Sequence, residues 1–278
     1  MIATAALEYL RTLYNVDAVF EGRCPGGEVG AYFARRTDGT RFVFKWSDDL
    51  NDLHFYESMV DLVNRLRLLG YPIPEYDRPY LVPEGVVVLQ SAVGGAWRDT
   101  VDHALLDEVV ALNALQVAQL PDAKWEQLIR KSLTTGLDGY CQHESLAEYG
   151  RDTQKLLQVI RQIGEEKTEL PSGDVVHFDF HHRNLLRSAD QLTAVIDWEG
   201  CRVGDQIFDL VTFAFGLTAA KVEPGVEDRL WSFINEHSES STVRAYVAHM
   251  ALRQVDWSIR FHGGVGVDEL LEIVRRRI

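Results

Sequence analysis

Val175-Val176-His177-Phe178-Asp179-Phe180-His181-His182-Arg183-Asn184-Leu185-Leu186 is the densest chemical signal in the chain. Thirteen residues after Asn184 comes Asp197, inside Leu192-Thr193-Ala194-Val195-Ile196-Asp197-Trp198-Glu199. Apolar runs at Leu185-Leu186 and Leu192 to Ile196 flank a turn at Ser188-Ala189-Asp190, which predicts a short β-hairpin. An Asp and an Asn five apart on a tight loop, with a second Asp on the returning strand, bring three oxygen-bearing side chains toward one another. Phosphoryl transfer to an alcohol asks for such a set. One carboxylate orients the hydroxyl and accepts its proton, while oxygen ligands hold magnesium against nucleotide phosphates.

Upstream, from about Asp17 to Trp46, the pattern is strand-like, with turns at Cys24-Pro25-Gly26-Gly27 and Thr37-Asp38-Gly39-Thr40. Leu53, Tyr56, Val60, Val63, Leu66 and Leu69 then recur at helical spacing, which predicts a helix over Asn51 to Leu69. Gly70 sits where a helix C-cap belongs and Pro72 blocks continuation. Gly85 to Gln90 reads as a buried strand ending near Gly94-Gly95, so the expected division is 1–90 and 91–278. Helical periodicity covers about Val101 to Gln119, Trp125 to Leu133 and Glu144 to Ile163. A β section from Val175 to Asp197 interrupts, and helices resume from about Gln206. The class is α+β: a β-rich front with one helix, then a mostly helical back with an inserted hairpin.

Composition narrows the partners. The 278 residues are 46% hydrophobic and 25% charged, the balance of a folded globular protein. A net charge of −14 argues against a general nucleic-acid or anionic-membrane binder, since both need local positive excess. Cys24, Cys141 and Cys201 lie far apart and form no CxxC pair, which suits a reducing cytosol. The N-terminal run reads as an amphipathic helix rather than a signal peptide, and no apolar stretch is long enough to span a bilayer. The expected location is cytoplasmic, with no membrane and no nucleic-acid partner.

The central stretch resembles the motif of the aminoglycoside phosphotransferase family, which includes choline-kinase-like and other small-molecule kinases. The family's usual form is His-Gly-Asp, four residues, Asn, then Ile-Asp-Trp/Phe-Glu. Here Phe178 replaces the usual Gly, and His182-Arg183 replaces the usual Pro-Gly. Gly204-Asp205-Gln206-Ile207-Phe208-Asp209-Leu210 resembles the family's Gly-Asp-Pro-x-x-Asp-Leu. The resemblance implies a bilobal protein-kinase-like fold that moves phosphoryl from ATP or GTP, with Mg2+, to a small-molecule hydroxyl. By position it makes Asp179 the catalytic base, Asn184 and Asp197 the magnesium ligands, and Asp209 a brace for the catalytic loop.

The same resemblance implies roles for the front lobe. Lys45 would touch the α/β phosphates, with Glu57 as its partner and Asp52 and Asp61 as competitors for the pairing. Cys24-Pro25-Gly26-Gly27-Glu28 would cover the nucleotide. Gln90-Ser91-Ala92 would be the hinge whose backbone bonds adenine, with Leu186 and Ile196 flooring the ring. Glu199, Asp256, Trp257 and Arg260 are candidates for the acceptor site. The acidic balance points to a cationic acceptor such as an aminoglycoside or basic peptide antibiotic, while choline, amino-alcohol, sugar and macrolide acceptors stay open.

Two other classes compete. His177, Asp179, His181 and His182, with His237, His249 or His262, could form the zinc site of a metallohydrolase. That reading leaves Asn184, Asp197 and Lys45 without work. A non-catalytic nucleotide-binding module is the other, although every member of the catalytic set is present in the sequence.

Overall fold

The amphipathic N-terminal run forms α1 (Ala3–Tyr14) in the computed structural model, with Ala6, Leu7 and Leu10 as its buried stripe. The structure describes residues 1–25, 30–118, 120–121 and 124–278. After α1 come β1 (Ala18–Arg23), β2 (Tyr32–Arg36), β3 (Arg41–Ser47), α2 (Asp52–Leu68), β4 (Tyr80–Val82), β5 (Gly85–Ser91) and β6 (Thr100–Val101). Helices α3 (His103–Ala114), α4 (Trp125–Thr134), α5 (His143–Tyr149) and α6 (Arg151–Glu165) follow. Then come β7 (Asp174–Val176), β8 (Leu185–Ser188), β9 (Gln191–Val195), β10 (Arg202–Gly204) and α7 (Ile207–Gly216). The order closes with β11 (Lys221–Val222), α8 (Val226–His237), α9 (Ser240–His262) and α10 (Val267–Arg275). No helix among the described residues is long and apolar enough to cross a membrane.

The chain separates into two units, Met1–Arg98 with Arg183–Cys201, and Asp99–His182 with Arg202–Ile278. This corrects the expected boundary after residue 90, because the hairpin β8–β9 belongs to the first unit. Backbone bonds explain the placement: Ala96 and Arg187 exchange N–H···O contacts of 2.9 and 3.0 Å, and the Val195 N–H donates to Pro72 at 2.7 Å. The Thr193 hydroxyl adds a bond to the Gly94 carbonyl at 2.7 Å.

In the first unit an antiparallel sheet runs in the order β1-β2-β3-β5-β4. Phe42 and Phe44 of β3 pack toward α1 with Leu7, Leu10, Val87 and Leu89. Strand alternation turns Val43 and Lys45 to the opposite face. The turn between β4 and β5 requires Gly85, where φ is +146° and a Cβ would meet the Ser47 carbonyl oxygen at 1.9 Å.

The second unit is built around α9, whose Tyr246 to Leu252 segment is buried without interruption. The helices α4, α5, α6, α7 and α10 pack against it. The helix expected over Glu144 to Ile163 is two helices, parted at Gly150, whose backbone is extended (φ −180°, ψ 174°). Glycine is the costliest ordinary residue to hold inside a helix, so the break falls there. The β section expected over Val175 to Asp197 divides as well. β7 pairs with β10, while β8 pairs with β9 and, through Arg187, bridges to Ala96.

Candidate active site

In the first unit, the Leu185↔Val195 register of the hairpin sets Asn184 opposite Ile196, and the Ile196 N–H donates to the Asn184 carbonyl at 2.9 Å. Asn184 and Asp197 are thereby neighbours across the open end of the hairpin. Asp197 holds the left-handed conformation (φ 72°), which turns the chain sharply out of β9. Asp is among the few residues that adopt it at low cost. Lys45 reaches this corner from β3. Its Nζ bonds the Asp197 carboxylate and meets Glu199 Oε1 at 2.9 Å. Burial would lower the lysine pKa, but the Glu199 and Asp197 carboxylates outweigh it and hold the value above normal. Burial raises the Glu199 carboxyl, against the pull of Lys45.

Glu57 is not the partner of Lys45. Its side chain is 56% exposed and lies 3.9 Å from His54 on the outer face of α2. Asp52 is engaged by the Ser47 hydroxyl. Glu199, read from sequence as an acceptor-site residue, takes the place of Glu57, because the loop after β9 carries it to the face of β3 on which Lys45 lies. The hinge reading changes too. The Ser91 N–H donates to Glu75 at 2.7 Å and the Ala92 N–H to Arg41 at 3.2 Å, so neither donor is open to a base. Gln90 is buried, with its Oε1 unpartnered. Leu186 and Ile196 are half-buried and, by register, share one face of the hairpin. Residues 26–28 of the expected nucleotide-covering turn lie outside the described residues.

In the second unit, Asp179 follows β7 on a loop held from below by α7. The buried Asp209 carboxylate accepts the backbone N–H of His177 at 2.7 Å and of Phe178 at 2.9 Å, and the Gln116 amide at 2.6 Å. Burial pushes the Asp209 carboxyl up to about 7, against these three donors. Replacing Asp209 by Ala leaves the donors buried and unpaired, at about 1–3 kcal/mol each. A urea melt of that variant should show a loss on the order of 3 kcal/mol or more.

Phe178 sits in the left-handed region (φ 73°), where a side chain costs about 1–2 kcal/mol. Its packing offsets that cost. The ring stacks on Phe208 with centroids 5.1 Å apart, and the Arg202 guanidinium lies 3.8 Å over the ring. The Asp179 carboxylate receives Arg253 Nη2 on Oδ1 at 2.8 Å and faces His181 Nε2 from Oδ2 at 3.5 Å. Burial would raise this carboxyl, but the His181 hydrogen bond and the Arg253 charge hold it well below the usual carboxylate range.

The other acceptor candidates divide. Asp256 is fully buried, gripped by both nitrogens of an Arg260 fork at 2.7 and 2.9 Å and by the Ser145 hydroxyl at 2.7 Å. Arg260 also bonds the Gly139 carbonyl at 2.8 Å, so this pair ties α9 to α5 and to the loop before it. The inward face of the helix has made a structural anchor of what read as a surface patch. Trp257 is part-exposed and packs on Phe261 at 4.2 Å. Among the described residues no group of three or more His, Cys, Asp or Glu is placed to hold a metal ion, His177, Asp179, His181 and His182 included. Sequence reasoning missed Arg253 and Gln116, whose contacts lie 74 and 93 positions away and leave no local signal.

The family model APH, described as a phosphotransferase enzyme family, matches residues 24–231. A search of curated proteins finds no match. Among solved structures, the chain is similar to a thermostable mutant of aminoglycoside phosphotransferase APH(4)-Ia in complex with ADP and hygromycin B. That likeness has a TM-score of 0.68 at 17% identity, over 98% of each chain. It is also similar to the amicoumacin kinase hAmiN, with a TM-score of 0.63 at 13% identity, over 99% of this chain and 94% of the other. For macrolide 2'-phosphotransferase MphH from Brachybacterium faecium the values are 0.55 and 15%, over 97% of each chain. At such identities these likenesses speak to the fold, which is kinase-like, with a β-rich N-terminal sheet and a helical C-terminal part.

Proposed function

The chain belongs to the APH phosphotransferase enzyme family, and from that premise we propose that it moves the γ-phosphoryl group of ATP or GTP to a hydroxyl of a small, polar, cationic molecule, such as an aminoglycoside or basic peptide antibiotic. Membership makes it a phosphotransferase acting on an alcohol group of a small molecule; donor, metal and acceptor are the proposal. The observation that carries it is the cluster of Lys45, Asp197 and Glu199 beside Asn184. It joins a cation suited to phosphate with the oxygen donors that a phosphate-bound divalent ion requires.

In this reaction Lys45 binds the α/β phosphates. Asp197 and Asn184 would hold magnesium, and the pair fits it: a carboxylate and an amide oxygen are hard donors, and magnesium takes few protein ligands when phosphates complete its shell. Magnesium held there would neutralise charge on the phosphate oxygens. Asp179 orients the acceptor hydroxyl and takes its proton as that oxygen bonds to phosphorus and the nucleoside diphosphate leaves. Catalysis of this kind rests on position and charge more than on covalent chemistry. The reaction is assigned to the cytoplasm on the sparse cysteines.

The net charge of −14 supports a cationic acceptor. A second reading, a metabolite kinase with a neutral sugar acceptor, is favoured by Arg253. Its guanidinium bonds Asp179 Oδ1 at 2.8 Å, and a cation on that carboxylate disfavours an ammonium there. A nucleotide-consumption screen over aminoglycosides, basic peptides, macrolides, choline, amino alcohols and sugars decides. Turnover confined to sugars selects the second reading. Nucleotide binding without turnover on any alcohol leaves a binding module and sinks both.

A further inference from the structure

Arg253 sits on the buried helix α9, far along the chain from the catalytic loop, and no motif singles it out. Its fork makes two bonds on consecutive residues of that loop. Nη1 donates to the Phe178 carbonyl at 2.6 Å, and Nη2 donates to Asp179 Oδ1 at 2.8 Å. The guanidinium also lies 5.2 Å from the centre of the Phe178 ring. Its side chain is 20% exposed, so its charge is poorly screened.

We propose that Arg253 is the positioning residue of the phosphotransferase reaction, fixing both the backbone that carries Asp179 and the direction of its carboxylate. The argument rests on Asp179 being the base, as read above. A single bond to the carboxylate would leave the loop free to pivot. A single bond to the carbonyl would leave the Asp179 side chain free to rotate. The planar fork closes both motions at once, and a lysine, with one nitrogen on a flexible stem, cannot reproduce that. The constraint falls where it is needed, because Phe178 is held in the left-handed conformation and its peptide with Asp179 would otherwise relax. By occupying Oδ1, Arg253 also commits that oxygen, so the acceptor is left with the Oδ2 edge, which it shares with His181 Nε2 at 3.5 Å. Asp209 supports the same loop through the N–H groups of His177 and Phe178. The loop is thus gripped on its donors by α7 and on its acceptors by α9.

The test compares Arg253→Met, Arg253→Lys, Asp179→Asn and the Asp179→Asn/Arg253→Met double variant, using an acceptor from the screen. Arg253→Met should lower kcat by about 10–100-fold, the scale of a small misplacement of a reacting group, with the nucleotide KM unchanged. Arg253→Lys should keep the fold and fall between Met and wild type, and it decides the matter if the Met variant does not fold. In the double variant, Arg253→Met should add nothing to the loss from Asp179→Asn, since the arginine acts through that carboxylate. Full kcat in Arg253→Met or, where that variant does not fold, in Arg253→Lys overturns the proposal, and so does a loss that adds independently in the double variant. Full kcat in Asp179→Asn has a different meaning: it removes the base itself, and the positioning role with it.

Discussion

Asp179→Asn is expected to cut turnover by about 10²–10⁴-fold while nucleotide affinity stays near wild type. The amide keeps the size of the carboxylate and can still accept from Arg253, so the loop should keep its shape. What disappears is the negative oxygen that orients the acceptor hydroxyl and receives its proton. The carboxylate in this chain is a weak base, held low by His181 and Arg253. A loose phosphoryl-transfer transition state makes little demand on base strength, so orientation carries most of the effect. Steady-state rates paired with nucleotide binding by calorimetry provide the check. Full turnover in a folded variant would leave Asp179 without its role.

Lys45→Met should lower kcat/KM by about 10²–10³-fold, the scale of removing one charge-stabilising donor from a transfer site. Most of the loss is expected in the nucleotide KM, because the ammonium is assigned to phosphates rather than to the acceptor. The same change leaves Asp197 and Glu199 facing each other without a cation. Two carboxylates so placed favour protonation, so the folded state of the variant binds protons more readily than the unfolded chain. Its stability should therefore fall as pH rises through the carboxylate range. For the lysine of the wild type the sign is the same but the pH window is far higher. The lysine pKa is raised on folding, so its ion pairs are fully present below the ordinary lysine value of 10.5 and are lost only as pH rises beyond it. The Glu199 carboxyl is already raised in the wild type, so the check is a steeper loss of melting temperature from pH 4 to pH 8 in Lys45→Met than in the wild type. An unchanged nucleotide KM in Lys45→Met would break the link between this lysine and the phosphates.

Glu199 shows how the partner of a buried lysine can lie outside the helix that follows it in sequence. A lysine at the end of an internal strand and a following helix rich in acids made Glu57 the natural partner. Helix α2 instead buries Tyr56, Met59, Val60 and Val63, and this sets Glu57 on the outside. Periodicity says which residues share a face, but not which way that face turns when two apolar sides compete. Asp256 and Arg260 failed as acceptor candidates for the same reason. Spaced four apart on a helix, they look like a surface pair until α9 proves to be buried on nearly all sides.

The local chemistry was available from the chain alone: the strand-turn-helix order of the front, the hairpin from Leu185 to Ile196, and the ordered set His177, Asp179, Asn184 and Asp197. These depend on short-range spacing and turn preference, which act between residues close in sequence. Tertiary structure alone decided that Glu199 meets Lys45, that Arg253 grips the loop from α9, and that the hairpin joins the first unit. Those outcomes depend on buried charges and backbone donors finding partners across dozens of positions. Linear order carries no record of that requirement until the core has closed.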